Sequence, residues 1–268
     1  MTTLALALLL GVQAPNEVPF RIADDAIVVD ATVNGKKASF MFDTGFSGTI
    51  VLNDAINIGA ASGAMTLRDF VGEFQARTVK IKTLKIGNVS IDPTDMEAVQ
   101  QPLDHLSESY NTHTDGIMGL EAVSHSVFEI NYQNNKFVFH PNTVDISKRQ
   151  PDGKKTFLLK MLPIGRNVVA LQAETSQGKK MTFSLDTGNA FYVATHKEVL
   201  ERVGRRTPGE KPQFMRTSWV GSGPVDSFMQ HMTDITIYGV PVKSSVWSVI
   251  DLPSSSSESD GTVGFGFL

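Results

Sequence analysis

The sequence predicts an all-β protein made of two homologous β-barrel-like lobes related by a pseudo-twofold axis. Three observations carry this expectation. The chain repeats itself once, with motif order and spacing kept. Each copy is built from short apolar or alternating runs punctuated by Gly turns. Few segments show a helical period, the better ones being His196 to Gly204 and Leu120 to Glu129.

The repeat is clearest where NGKKASFMFDTG (Asn34 to Gly45) aligns with QGKKMTFSLDTG (Gln177 to Gly188). Extended runs precede both, AIVVDATV from Ala26 and NVVALQAETS from Asn167, and β-branched residues flank an Asn-Gly or Gln-Gly pair. That pattern predicts a hairpin in each copy. Downstream, FVGEF from Phe70 is echoed by WVGSG from Trp219, and VKIKTLKIGNVSI (Val79 to Ile91) by MQHMTDITIYGVPV (Met229 to Val242). Finally DGIMGL (Asp115 to Leu120) matches DGTVGF (Asp260 to Phe265). Asp43 and Asp115 are 72 positions apart, Asp186 and Asp260 are 74, so the copies are collinear over nearly the whole chain. The expected organisation is a leader at 1–15, an N-terminal lobe at 16–145, a polar linker at 146–155 and a C-terminal lobe at 156–268.

Bulk properties exclude several function classes. The 268 residues suffice for two modest cores, and a net charge of −4 with mixed signs gives no nucleic-acid footprint. No cysteine is present, so disulfides, thiolate nucleophiles and sulfur-ligated zinc are ruled out. The six histidines lack ligand spacing and no Gly-rich phosphate loop follows a strand, so neither metal nor cofactor is expected. The apolar stretch Leu4 to Val12 is too short to span a membrane and fits the middle of a secretory signal peptide, with Val12-Gln13-Ala14 as the cleavage site. Export to a periplasm or the medium is the corresponding expectation.

Asp43 and Asp186 are the candidate catalytic residues. Each ends an apolar strand, where a lone carboxylate is costly. A single Asp-Thr-Gly is an ordinary turn. Two copies, each followed at matched distance by Asp-Gly-x-x-Gly, point to a shared site that needs both.

On these residues the chain resembles the aspartic proteases. FMFDTG and FSLDTG look like that family's hydrophobic-hydrophobic-Asp-Thr-Gly motif, and GIMGL and GTVGF like its later hydrophobic-hydrophobic-Gly segment. The likeness runs from about Asp25 to Leu268 and is nearest to bacterial retropepsin-like proteins with both halves in one chain, on the pepsin-like plan. The resemblance implies the acid protease fold and an endopeptidase in which a water is activated between two aspartates, one per lobe. It implies supporting roles for Thr44, Gly45, Thr187, Gly188 and Asn189: threonine hydroxyls that bond the opposite loop, glycines that admit backbone N–H groups, and an amide that donates to Asp186. Phe46 stands where the family often has Ser, Thr or Ala, which removes a side-chain donor from Asp43 unless Ser47 substitutes.

Enzymes of this kind bind peptide or protein substrate in extended conformation beneath mobile hairpins. The candidate flaps are Thr66 to Thr78 and Met215 to Ser227, with Phe70, Val71, Gly72, Trp219, Val220 and Gly221 as substrate-binding residues. A monomer is expected, because one chain supplies both halves of the site. The competing reading is a catalytically weak or inactive peptide-binding relative, motivated by Phe46 and by a second copy that stops at Leu268 without the hairpin that follows Gly119 in the first. Either the chain is truncated there or another element closes that lobe, with the N-terminal strand near VPFRIA as the candidate.

Overall fold

The computed structural model of the chain describes residues 16–69, 73–145, 151–152, 168–212, 214–220, 223–251 and 259–268. The leader and most of the linker expected from the sequence lie outside these residues.

The first half forms β1 (Asn16–Pro19), β2 (Arg21–Ala23), β3 (Ala26–Val33), β4 (Lys36–Asp43), β5 (Ile50–Asn53), β6 (Gly63–Arg68), β7 (Glu73–Lys80), β8 (Leu84–Ile86), β9 (Val89–Ile91) and β10 (Glu97–Gln101). A short helix α1 (Asp104–Ser109) precedes β11 (Gly116–Gly119), a 3-10 turn at Leu120–Val123 and the hairpin β12 (Val127–Asn131) and β13 (Lys136–His140). The helical period read over Leu120 to Glu129 is thus only one tight turn, because the run passes at Val127 into a strand. The second half contains β14 (Ala170–Thr175), β15 (Lys180–Leu185), β16 (Val193–His196), α2 (Lys197–Arg202), β17 (Arg216–Val220), β18 (Gly223–Ile237), β19 (Val240–Ile250) and β20 (Gly261–Val263).

Local chemistry fixes the turns. Asn34 and Gly35, at φ 48° and 80°, make the two-residue turn between β3 and β4. Tyr238 and Gly239, also at positive φ, do the same between β18 and β19. Strand pairing then repeats between the halves. The first sheet runs β6-β7-β10-β5-β11-β4-β3-β8-β9, and the second β14-β15-β20-β16-β19-β18-β17. In both, the strand ending at the Asp-Thr-Gly loop lies parallel to the later Gly-containing strand: β4 to β11, and β15 to β20. β14 also pairs with β18, which closes six strands into a barrel.

Alternation sends side chains to both faces, and the central strands β3, β4, β5 and β11 bury both. Phe40, Phe42, Ile50, Leu52 and Met118 are fully enclosed in the first core, and Phe183, Val193, Trp247 and Val263 in the second. A third cluster (Met41, Val51, Val99, Leu103, Leu106, Ile117) lies on the other face of the first sheet, with Phe46, Leu67 and Tyr110 against it. Burying such side chains contributes about 1.5 to 3 kcal/mol each.

One expectation is corrected. The N-terminal strand does not close the second lobe. β1 pairs antiparallel with β13, and Val18 and Phe20 belong to the first core, so VPFRIA completes the lobe it begins. The C-terminal segment instead turns back at Gly264 to Leu268. There Phe267 meets Tyr192 in its own lobe and Phe265 meets Tyr132 of the first, with ring centroids 5.7 and 5.6 Å apart.

Candidate active site

Each Asp-Thr-Gly loop leaves the end of a central strand and is held by the strand beside it. Asp43 is paired in register with Gly119, and the Asp186 N–H donates to Val263 O at 2.9 Å. The chain then loops back over the later glycine. A Cβ at Gly119 would sit 2.3 Å from Gly48 O, and one at Gly264 would sit 2.2 Å from both Asn189 O and Phe191 O. Only glycine fits under such a crossing. Leu120 N–H to Phe46 O (2.9 Å) and Phe265 N–H to Asn189 O (2.7 Å) fasten the crossing in each half. The Asp of each Asp-Gly-x-x-Gly sits one step earlier. Asp115 accepts from Ser39 N–H and Asp260 from Thr182 N–H, both at 2.8 Å, which ties the strand leading to each loop to its parallel neighbour.

The two loops meet. Thr44 Oγ1 donates to Leu185 O (2.8 Å) and accepts from Thr187 N–H (3.0 Å). Thr187 Oγ1 donates to Phe42 O (2.7 Å) and accepts from Thr44 N–H (3.1 Å). Both threonines are buried, so the four bonds are shielded from water. Gly45 and Gly188 face the opposite carboxyl: a Cβ on Gly45 would lie 2.6 Å from Asp186 Cγ, and one on Gly188 2.7 Å from Asp43 Cγ.

This arrangement brings Asp43 and Asp186 into hydrogen-bonding contact with each other. Two carboxyls can bond only through a proton that one of them carries. Burial, then the facing Asp186, pushes Asp43 well above the usual carboxylate range, offset in part by the N–H groups of Gly45 (2.7 Å) and Phe46 (3.1 Å). Burial raises Asp186 too, but more donors oppose it: the Asp43 side chain, Gly188 N–H (2.9 Å), the Thr262 hydroxyl and Asn189 N–H. Both carboxyls are raised, and the pair titrates as a unit that shares one proton.

Sequence reasoning placed Asn189 wrongly in one respect. Its side-chain amide donates to Thr262 Oγ1 at 2.9 Å, and the Thr262 hydroxyl in turn reaches Asp186. The amide serves the carboxyl through a relay; only the Asn189 backbone N–H acts on it directly. Thr262 was missed, although it stands where the first copy has Ile117, a polar residue breaking an otherwise apolar match. Phe46 costs Asp43 no backbone donor, and its ring packs beneath the loop with Leu67 and Tyr110.

Of the expected flap residues, Phe70, Val71, Gly72 and Gly221 lie outside the described residues. The hairpins that carry them are present, β6 with β7 and β17 with β18. Val220 is half-buried opposite Gly223. Trp219, 51% exposed, stacks on His105 of α1 at 5.9 Å, so the second hairpin reaches across to the first half. Tyr110, just after α1, also crosses: its hydroxyl donates to Gly188 O at 3.2 Å. Nothing in the polar segment around it marked it out.

The architecture and motifs have known counterparts. Residues 29–122 match the family model described as aspartyl protease. Curated protein sequences gave no match. Among solved structures, the crystal structure of an aspartic proteinase from Irpex lacteus superposes with a TM-score of 0.53 at 14% identity, covering 95% of this chain and 92% of that one. Residues 29–122 thus carry an aspartyl protease signature, and the acid protease fold runs along the length of the chain.

Proposed function

We propose that the chain is an endopeptidase that hydrolyses peptide bonds with a water held between Asp43 and Asp186. The observation that carries the reading is the meeting of the two Asp-Thr-Gly loops, which sets the half-buried Asp43 and the buried Asp186 together and each carboxyl against the other loop's glycine. Asp186, with the Thr262 relay and two backbone donors, is the base that takes a proton from the water. Asp43 gives its proton to the scissile carbonyl oxygen as the hydroxide adds to the carbon. The resulting diol collapses when Asp186 returns its proton to the leaving nitrogen and Asp43 recovers one from a diol hydroxyl. The C–N bond breaks, and the products are a carboxylic acid and an amine. The substrate lies extended between the β6–β7 and β17–β18 hairpins, whose edges offer backbone partners. The shared strand order of the two sheets and their paired loops support reading the chain as a duplicated half.

The test is cleavage of an unfolded protein from acid to neutral pH. A statine-type transition-state mimic should block it, and Asp43→Asn and Asp186→Asn should each abolish it while leaving the fold intact. Full activity in either variant refutes the shared-proton mechanism.

A further inference from the structure

We propose that Tyr110 is a positioning residue for the second aspartate, acting from the opposite lobe through a single peptide group; this rests on the catalytic reading above. The Tyr110 hydroxyl donates to the carbonyl of Gly188 at 3.2 Å. That carbonyl and the N–H of Asn189 are the two ends of one peptide unit. The N–H end points into the Asp186 turn, 3.2 Å from the Asp186 backbone carbonyl, and also donates to its carboxylate. A donor on a peptide oxygen polarises the unit and strengthens its N–H as a donor in turn. It also fixes the plane of the peptide, and with it the direction of the N–H. Tyr110 thereby stabilises the ionised form of Asp186 without touching it.

The surroundings suit this role. Tyr110 packs on the apolar cluster that holds Leu103 and Leu106, so the hydroxyl is presented from a fixed base. Burial, then the two carboxylates, pushes the phenol above its ordinary range, so it stays a neutral donor wherever the enzyme works. Among the described residues, the titratable groups facing Asp186 are Asp43 and Tyr110, and those facing Tyr110 are the two aspartates. His105, on the helix that precedes Tyr110, faces Trp219.

The experiment is the pH dependence of kcat/KM for wild type, Tyr110→Phe and a chain carrying 3,5-difluorotyrosine at position 110. Tyr110→Phe keeps the ring and loses the donor, so the acid limb should move up by about half a pH unit, with kcat reduced and KM little changed. The fluorinated phenol is a stronger donor and should move the limb the other way. Leu106→Ala, which loosens the same helix, should lower the melting temperature and leave the limb in place. Opposite shifts in the first two variants support the proposal. A limb that stays fixed in both, or follows stability in Leu106→Ala, overturns it. Failure of the catalytic reading is distinguishable, because then the wild type does not cleave or survives Asp186→Asn.

Discussion

Thr262→Val isolates the asymmetry of the aspartate pair. The substitution keeps the shape of the side chain and its place in β20 but deletes the hydroxyl between Asn189 and Asp186. A hydrogen bond to a charged group contributes about 1.5 to 3 kcal/mol, which corresponds to a rise of about one to two units in the pKa of Asp186. The Asn189 amide lies 2.9 Å from the deleted oxygen and recovers part of the loss by turning toward the carboxylate. A net rise of about one unit follows. Because the proposed mechanism needs Asp186 ionised, the acid limb of kcat/KM should shift to higher pH by that amount, and activity below it should fall about tenfold. The alkaline limb, which the same proposal assigns to loss of the shared proton, should move less. The assay is a pH series on a quenched-fluorescence peptide at fixed ionic strength, beside a melting curve for each sample. An unmoved acid limb in a variant that melts like the wild type refutes the claim that Asp186 is the base and that Thr262 holds it so.

Three further outcomes follow from the same geometry. Both carboxyls titrate above the usual range, so between that range and their raised values the folded chain binds more protons than the unfolded one, and stability falls as pH rises. Asp43→Asn removes the cost of bringing a second charge into the pair, so it should melt higher than wild type near neutrality and no higher in strong acid, as read by calorimetry. Thr187→Val strips the partners from Thr44 N–H and Phe42 O at the loop contact, and chemical denaturation should show a loss of about 2 to 4 kcal/mol together with activity. Gly188→Ala puts a methyl 2.7 Å from Asp43 Cγ, so turnover should vanish even where circular dichroism reports an intact sheet.

The repeat in the sequence determined most of the architecture. Gly-turn hairpins, apolar strands ending in Asp-Thr-Gly, and the collinear spacing to Asp-Gly-x-x-Gly are local signals, because backbone preference and side-chain alternation act over a few residues. They announced both the strands and the two aspartates. What tertiary structure alone decided was contact between segments far apart in the chain. Tyr110 over Gly188 and Thr262 beside Asn189 leave no periodic trace, because a single hydrogen bond constrains one residue, not a pattern, and β1 on β13 joins strands from the two ends of the first half. The glycines at 119 and 264 read as a motif in the sequence, but the reason for them, a loop crossing too close to admit a Cβ, exists only once the chain has folded.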